Sequence, residues 1–524
     1  MSPSVFPDRK PDSLSPRGAA AGRATRMLVL AAISMVAMTL ATVEALHVEP
    51  YMDEGTFSDA AYNLSHHGFM GTTILETAGT GLTRLDRHTY WVMPLYIVGQ
   101  AAWMKVIPAT LFGVRLFSVI WIPISIWSLY LFMRRVGFNE APSLLAALLH
   151  GLSFVLIDVA KNARPDMMCQ ALGWSALAAY ASLRERSLVA ALVFGNILVA
   201  LSGLTHPNGV LYFAGLWLLV FWFDRARLNW RHIALSASVY AVAAGLWGIY
   251  ILQDPAAFAD QLRANSDHRF GTLAWSLNRL PLPLRLLWGE IHDRYLALFG
   301  LLSPFKVSRL KGIVLLTYAF ALVAAFFGPL RRGRKVKLLL ALWALFFGIQ
   351  CVFNQKLGFY FLHIAPLYAA LTASVGAALW VHAGHAKKLA LAAWLVLLLG
   401  IQVASTVSRS IVLSTSESER EVAAFLAGHA RSAQLIFGNA CLIHTVGYDP
   451  RYRDDRYLGL RSGKRADVII MTDHLDSDLY AALRTDNRED WDRISQRLSE
   501  YRLVFAPPGY RVYFSPAMLD ARAK

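Results

Sequence analysis

Asp53 and Glu54 stand side by side in Glu49-Pro-Tyr-Met-Asp-Glu-Gly-Thr-Phe-Ser-Asp59, shortly after the first long apolar run of the sequence. A carboxylate at the aqueous edge of a membrane is costly unless a cation, hydrogen bonds or a metal accompanies it, so the pair points to proton transfer or cation binding. Helix capping is the plain structural alternative: Asp53 can cap a helix through Phe57, Tyr62 and Leu64, with Glu54 in its first turn. Three further groups mix cations with polar side chains. Lys161-Asn-Ala-Arg164-Pro-Asp166 lies between two apolar runs, where a tight charged turn also accounts for it. Thr205-His206-Pro-Asn-Gly209 interrupts residues 187–223, which carry no formal charge; Pro207 and Gly209 explain a turn, and His206 is surplus to it. Asn354-Gln-Lys356-Leu-Gly-Phe-Tyr360-Phe-Leu-His363 brings a lysine and two polar rings to the start of another run, where Lys356 can also simply snorkel. Gathered in one place, these groups supply a carboxylate for proton transfer and Lys, Arg or His for a phosphate.

The elements that must gather them are membrane helices. Of 524 residues 56% are apolar and 16% charged, against about 25% charged in soluble domains, which excludes an ordinary soluble enzyme. Uncharged runs long enough for a hydrocarbon core of about 30 Å predict eleven spans, near 27–43, 116–133, 141–157, 167–183, 187–204, 209–223, 233–252, 312–330, 338–353, 364–381 and 389–408. Ala41 and Ala45 give residues 27–43 a passing likeness to a cleaved leader, but the run is read as an uncleaved first span. The net charge of +16 falls mostly in short loops, at Arg134 and Arg135, Arg184 and Arg186, Arg225 to Arg231, Arg331 to Lys337, and Lys387 with Lys388. These share one side with the amino terminus, and the bias of such loops makes that side cytoplasmic. No nucleic-acid partner is expected. Cys169, Cys351 and Cys441 are too far apart to suggest a disulfide framework or a thiolate zinc site.

The other side is then exoplasmic and holds residues 44–115, 158–166, 205–208, 253–311 and 354–363 together with the C-terminal segment. All four polar groups lie there. Tyr90 to Met104, short and rich in Trp and Tyr, reads as an interfacial helix within the first loop. Residues 1–26 read as a disordered cytoplasmic tail, 27–408 as the transmembrane domain, and 409–524 as a small α/β domain in water. In that last unit helices are expected at Glu417–His429 and Asp490–Tyr501, and strands at Gln434–Phe437, Val468–Met471, Arg502–Ala506 and Arg511–Phe514.

The order of motifs resembles that of integral-membrane glycosyltransferases of the GT-C fold that use polyprenyl-phosphate sugars, the superfamily of protein O-mannosyltransferases and lipid A aminoarabinose transferases. The resemblance covers residues 27–408. Its carriers are Asp53-Glu54 with Phe57, Tyr90-Trp91 through Leu111-Phe-Gly-Val-Arg115, Ala163-Arg164-Pro165-Asp166-Met167, and Lys356-Leu357 with Tyr360 and Ala365-Pro366-Leu367. It implies a multi-pass enzyme of a bacterial inner membrane, with its active site and C-terminal domain in the periplasm. The donor would be a polyprenyl-phosphate sugar. The acceptor would be an envelope glycan, lipid or protein, lipid A of lipopolysaccharide among them, and transfer would be a direct, inverting displacement. By the same resemblance Asp53 is the catalytic carboxylate, Glu54 completes the pair, and Lys356 meets the lipid phosphate beside Tyr360.

Departures from the pattern are Thr56, where aminoarabinose transferases carry an arginine, His206, where they carry a lysine, and His363, where proline is common. Arg84, Arg87 and His88 then stand as substitute phosphate ligands in the first loop, and Arg164 and Asp166 are further substrate-binding candidates. No cofactor is required by the sequence, although Asp53, Glu54, Asp166 and His206 leave a divalent metal open. The C-terminal domain is expected to bind the acceptor or cover the cavity. A lipid-linked-sugar transporter is the alternative from another class; it would place ionisable groups and broken helices inside the spans, which here are nearly free of charge. A catalytically silent scaffold is a third reading, and the presence of Asp53-Glu54 speaks against it.

Overall fold

The computed structural model describes residues 16–523 except 79, 277–281, 328, 354, 413–415 and 474–479. Asn354 and the first fifteen residues of the expected tail therefore lie outside the described residues. The chain is a multi-pass membrane protein: among the described residues nine helices are long and apolar enough to cross a bilayer, and a bent pair makes a tenth. That pair, Glu140–Gly151 and Phe154–Ala160, covers the single span expected at 141–157 and turns by 51° at its break. Ser153 is the cause, because its Oγ accepts the Val155 N–H at 3.3 Å and starts a new helix. The remaining expected span, 167–183, is the helix Asp166–Leu183, which carries Asp166 and Gln170 and is sheltered in the middle of the bundle instead of facing lipid. Its Trp174 and Tyr180 are fully buried, and a Cβ at Gly173 would overlap the Tyr212 ring of the crossing helix Gly209–Asp224.

One expectation for the amino terminus changes. The first helix runs from Pro16 to His47, so residues 16–26 are helical and not an irregular tail. Proline is tolerated in a first helical turn, and Ala19 to Ala21 are strong helix formers. The two ends of the bundle differ. At the end rich in basic loops, Asp224 is buried and accepts from Arg184 Nε at 2.7 Å, Arg227 Nη1 at 2.8 Å and Tyr180 Oη at 2.7 Å. The opposite end carries the helix Met52–His67, the short helix Pro94–Trp103, the helix Pro255–Ser276 and the C-terminal domain. Pro94–Trp103 is too short to cross a membrane, and its Ile97 and Ala101 pack on Ala60 and Ala61.

The C-terminal domain is a five-stranded sheet flanked by helices. Its strands β1 (Ile436–Phe437), β2 (Tyr452–Arg453), β3 (Val468–Thr472), β4 (Arg502–Phe505) and β5 (Tyr510–Phe514) take the order β2-β1-β3-β5-β4, the first three parallel. β5 runs antiparallel to β3 and β4. The helices Ser416–His429 and Arg488–Ser499 fall near their expected places, while β2 was missed because two residues carry no alternating pattern.

This domain sits directly on the Met52–His67 helix. The first loop extends it by one bridge, Leu75 beside Asp454, with Asp454 N–H donating to Ile74 O at 2.7 Å. Ser58 Oγ meets His444 Nε2 at 2.7 Å, Tyr62 stacks on Tyr448 at 4.0 Å, and a Cβ at Gly55 would overlap the Ala440 carbonyl. Gly55→Ala is therefore expected to loosen the seat by about 1–3 kcal/mol, the usual cost of overpacking. Limited proteolysis checks it: the C-terminal domain should be released faster than from the parent protein, and an unchanged cleavage rate would show that the two surfaces do not meet at Gly55.

Candidate active site

The Met52–His67 helix divides its two leading carboxylates. A helix turns about 100° per residue, so Asp53 and Glu54 face different surroundings. Glu54 is fully buried, and its oxygens receive Arg115 Nε at 2.8 Å, Arg115 Nη2 at 2.7 Å, Ala163 N–H at 2.8 Å and Tyr51 N–H at 2.7 Å. The last of these caps the helix start, so the capping expected of Asp53 belongs to Glu54. Burial alone would push the Glu54 carboxyl up, but the Arg115 guanidinium and these N–H groups hold it below the usual carboxylate range. Arg115 also donates to Ala45 O, Val48 O and Glu49 O at 2.7–3.0 Å, closing the end of the first helix. Glu54 and Arg115 thus pin four segments together, with their hydrogen-bonding capacity spent on that task.

Asp53 turns the other way, 25% exposed, and pairs with Arg164 Nη1. Arg164 is held from behind by Asp166, whose Oδ2 accepts its Nε at 3.0 Å. It lies over the Phe359 ring at 4.5 Å and the Tyr51 ring at 5.6 Å. Burial would ease the guanidinium toward neutrality, yet Asp166 and Asp53 raise it, so Arg164 is a fixed positive charge. Asp59, six residues further along the helix than Asp53, accepts Thr73 N–H at 2.5 Å and Ile74 N–H at 2.9 Å, which shapes the loop that meets the C-terminal domain; burial pushes its carboxyl up to about 6.

Asp53, Thr56, Phe57 and Arg164 line a cavity of about 630 Å³. His206 and Tyr360 join them, their rings 5.4 Å apart. The far side is built by Trp91 and Asn265, and the roof by Asp454, Asp455, Arg456, Tyr457 and Arg461 of the C-terminal domain. A second cavity of about 390 Å³, lined by Lys161, Asp158 and Arg409, shares Tyr51 with the first. Tyr51 stands between the two, and Phe359, edge to face with it at 5.4 Å, lines the second.

Other expected ligands lie elsewhere. Asp166 and His363 are fully buried just behind the wall, His363 Nδ1 meeting Tyr212 Oη at 2.9 Å and its ring lying 6.4 Å from that of His206. Lys356 does not reach the cavity, although its neighbours Gln355 and Leu357 do. Its ammonium is held by Glu290 at 2.9 Å and by the Gln350 and Cys351 carbonyls at 3.0 and 2.9 Å, because a sheltered cation needs a counter-charge. Burial pulls that ammonium down while Glu290 pushes it up, with the balance downward. Arg84 pairs with Asp254 at 2.7 Å, Arg87 is exposed, and His88 stacks on Tyr90; none of the three lines the cavity.

Sequence reasoning passed over Gln261, whose Oε1 accepts Tyr90 and Trp91 N–H at 2.8 and 3.1 Å and so sets the Trp91 wall. It also passed over Arg294, buried against Glu290 at 2.5 Å and 5.9 Å from the Tyr360 ring. Both belong to segments without a recognisable motif. Arg115 stood within a quoted motif but had no assigned task.

No protein family and no curated protein matches the sequence. Solved structures do match in three dimensions. An Archaeoglobus fulgidus oligosaccharyltransferase superposes with a TM-score of 0.57 at 13% identity, over 93% of this chain and 74% of its own. ArnT from Cupriavidus metallidurans bound to undecaprenyl phosphate gives 0.56 at 14% identity, over 93% and 97%. The arabinofuranosyltransferase AftD from Mycobacteria gives 0.52 at 14%, over 93% of this chain and 39% of its own. The chain has the GT-C fold of these membrane glycosyltransferases.

Proposed function

We propose that this chain is a glycosyltransferase that moves a sugar from a polyprenyl phosphate to an envelope glycan, lipid or protein. The observation that carries the reading is the pairing of a solvent-reaching carboxylate, Asp53, with a fixed guanidinium, Arg164, on one wall of a roofed cavity. The neighbouring fold seen with undecaprenyl phosphate supports the choice of donor. The Lys and Arg bias of the loops supports a periplasmic site in a bacterial inner membrane.

In this mechanism the acceptor hydroxyl oxygen attacks the anomeric carbon as the bond to the phosphate oxygen breaks, through an oxocarbenium-like transition state and with inversion. Asp53 takes the hydroxyl proton. The departing phosphate gathers charge beside Arg164, with His206 and Tyr360 on the same wall. Glu54, assigned with Asp53 on sequence grounds, becomes a positioning residue. The two cavities share Tyr51, two residues from Asp53, which gives donor and acceptor separate entries to this region, and the C-terminal roof excludes water from the transfer.

Arg164→Lys should lower kcat/KM for the donor by about ten- to a hundredfold, since a charge-assisted hydrogen bond contributes about 1.5–3 kcal/mol and lysine cannot reproduce the fork of a guanidinium. Steady-state kinetics with purified variant check this, and an unaltered kcat/KM would place the phosphate elsewhere. The function itself is tested by incubating purified protein with a panel of polyprenyl-phosphate sugars and following the lipid by mass spectrometry. One donor should be converted to free polyprenyl phosphate with its sugar on an acceptor; a panel returned intact with every acceptor class would overturn the reading.

A further inference from the structure

We propose that Asp166, His206 and His363 bind one divalent transition-metal ion of the zinc class, set into the protein behind the Arg164 wall of the cavity. The three come from separate segments: the first residue of the Asp166–Leu183 helix, the turn after Leu188–Thr205, and the last residue of the turn Gly358–His363. One donor atom from each lies within 4.8 Å of the others. All three side chains are buried.

Two lone-pair-bearing atoms of the group, Asp166 Oδ1 and His363 Nε2, are buried without a hydrogen-bond partner. Each such orphan costs about 1–3 kcal/mol, and two in one cluster are economical only if something binds both. The outer contacts suit a metal as well. His363 Nδ1 meets Tyr212 Oη at 2.9 Å, and the tautomer that donates Nδ1–H to that oxygen keeps its lone pair on Nε2. His206 Nδ1 is held as an acceptor by Asn208 N–H at 3.1 Å, near the long end of the hydrogen-bond range, so its lone pair is the one a cation would compete for. Asp166 keeps its other oxygen on Arg164.

The donor set decides the ion. One carboxylate and two imidazoles suit zinc and its neighbours, whereas magnesium and calcium prefer all-oxygen shells. Three protein ligands leave a coordination position open, the pattern of zinc sites that meet a substrate oxygen or water. His206, alone of the three, also lines the cavity. If the transferase reading holds, the ion adds positive charge on the side where a donor phosphate would sit; the binding claim itself rests on the three ligands and needs no sugar transfer.

The test uses full-length protein in detergent, purified without a histidine tag, stripped with a chelator, loaded with zinc sulfate and desalted. Elemental analysis should find about one zinc per chain in the parent and in the His429→Ala control, and at least about tenfold less in Asp166→Asn and His206→Ala. Metal-free parent protein, or variants holding as much zinc as the parent, would overturn the proposal. Because a variant can fail to fold, cobalt(II) loading of the parent gives a second reading. Intense visible absorption from a four- or five-coordinate nitrogen and oxygen site supports the assignment, and the weak spectrum of the hydrated ion refutes it.

Discussion

Asp53→Asn is expected to reduce sugar transfer by about a hundredfold or more, the usual contribution of a general base, while leaving the fold in place. Asparagine has nearly the shape of aspartate and still offers an oxygen to Arg164, but it cannot take a proton from the acceptor. The fold should tolerate the change because Asp53 is 25% exposed and Arg164 keeps its second carboxylate, Asp166. The measurement is the transfer rate at saturating donor, alongside the thermal midpoint in detergent. A rate equal to the parent's would place the base on another residue, and a collapsed midpoint would make Asp53 structural.

Arg115→Met should do the reverse. It strips a buried carboxylate of its partner, which costs about 3–5 kcal/mol, and deprives the carbonyls of Ala45, Val48 and Glu49 of their donor. The expected result is a lower thermal midpoint and loss of activity in proportion to unfolded protein. Adding Glu54→Gln should restore part of the stability, since the uncompensated charge is then removed and the two sites couple directly. A parental midpoint in Arg115→Met would mean that the pair holds nothing together.

The contrast between these two outcomes marks where sequence reading stopped. Adjacent carboxylates look alike in a sequence, and only the rotation of the helix sends Glu54 inward to Arg115 and Asp53 outward to Arg164. The membrane helices were legible because an apolar run long enough to span a bilayer has few other uses. The 51° bend between Gly151 and Phe154 was not, since a single serine that restarts a helix does not interrupt hydrophobicity. Among the cations, Arg164 and His206, which line the cavity, stood out in short turns that carry more polarity than a turn needs. Lys356 and Arg84 lie outside the cavity lining, paired with Glu290, 66 residues away in the chain, and with Asp254, 170 away. Long-range neutralisation of that kind leaves no local signal. The same limit applies to the cavity roof, whose Asp454 to Tyr457 stretch lies in a domain that could be read as α/β but not docked.

The central claim is that a polyprenyl phosphate places its head group in the cavity between Asp53, Arg164 and the C-terminal roof. A photoreactive polyprenyl phosphate, crosslinked to the full-length protein in lipid and mapped by mass spectrometry, tests it most directly. The expected label falls on peptides bearing Phe57, Trp91, Tyr360 or Tyr457, and excess unlabelled lipid phosphate removes it. Label confined to the opposite end of the bundle, around Arg184, Asp224 and Arg227, would contradict the claim.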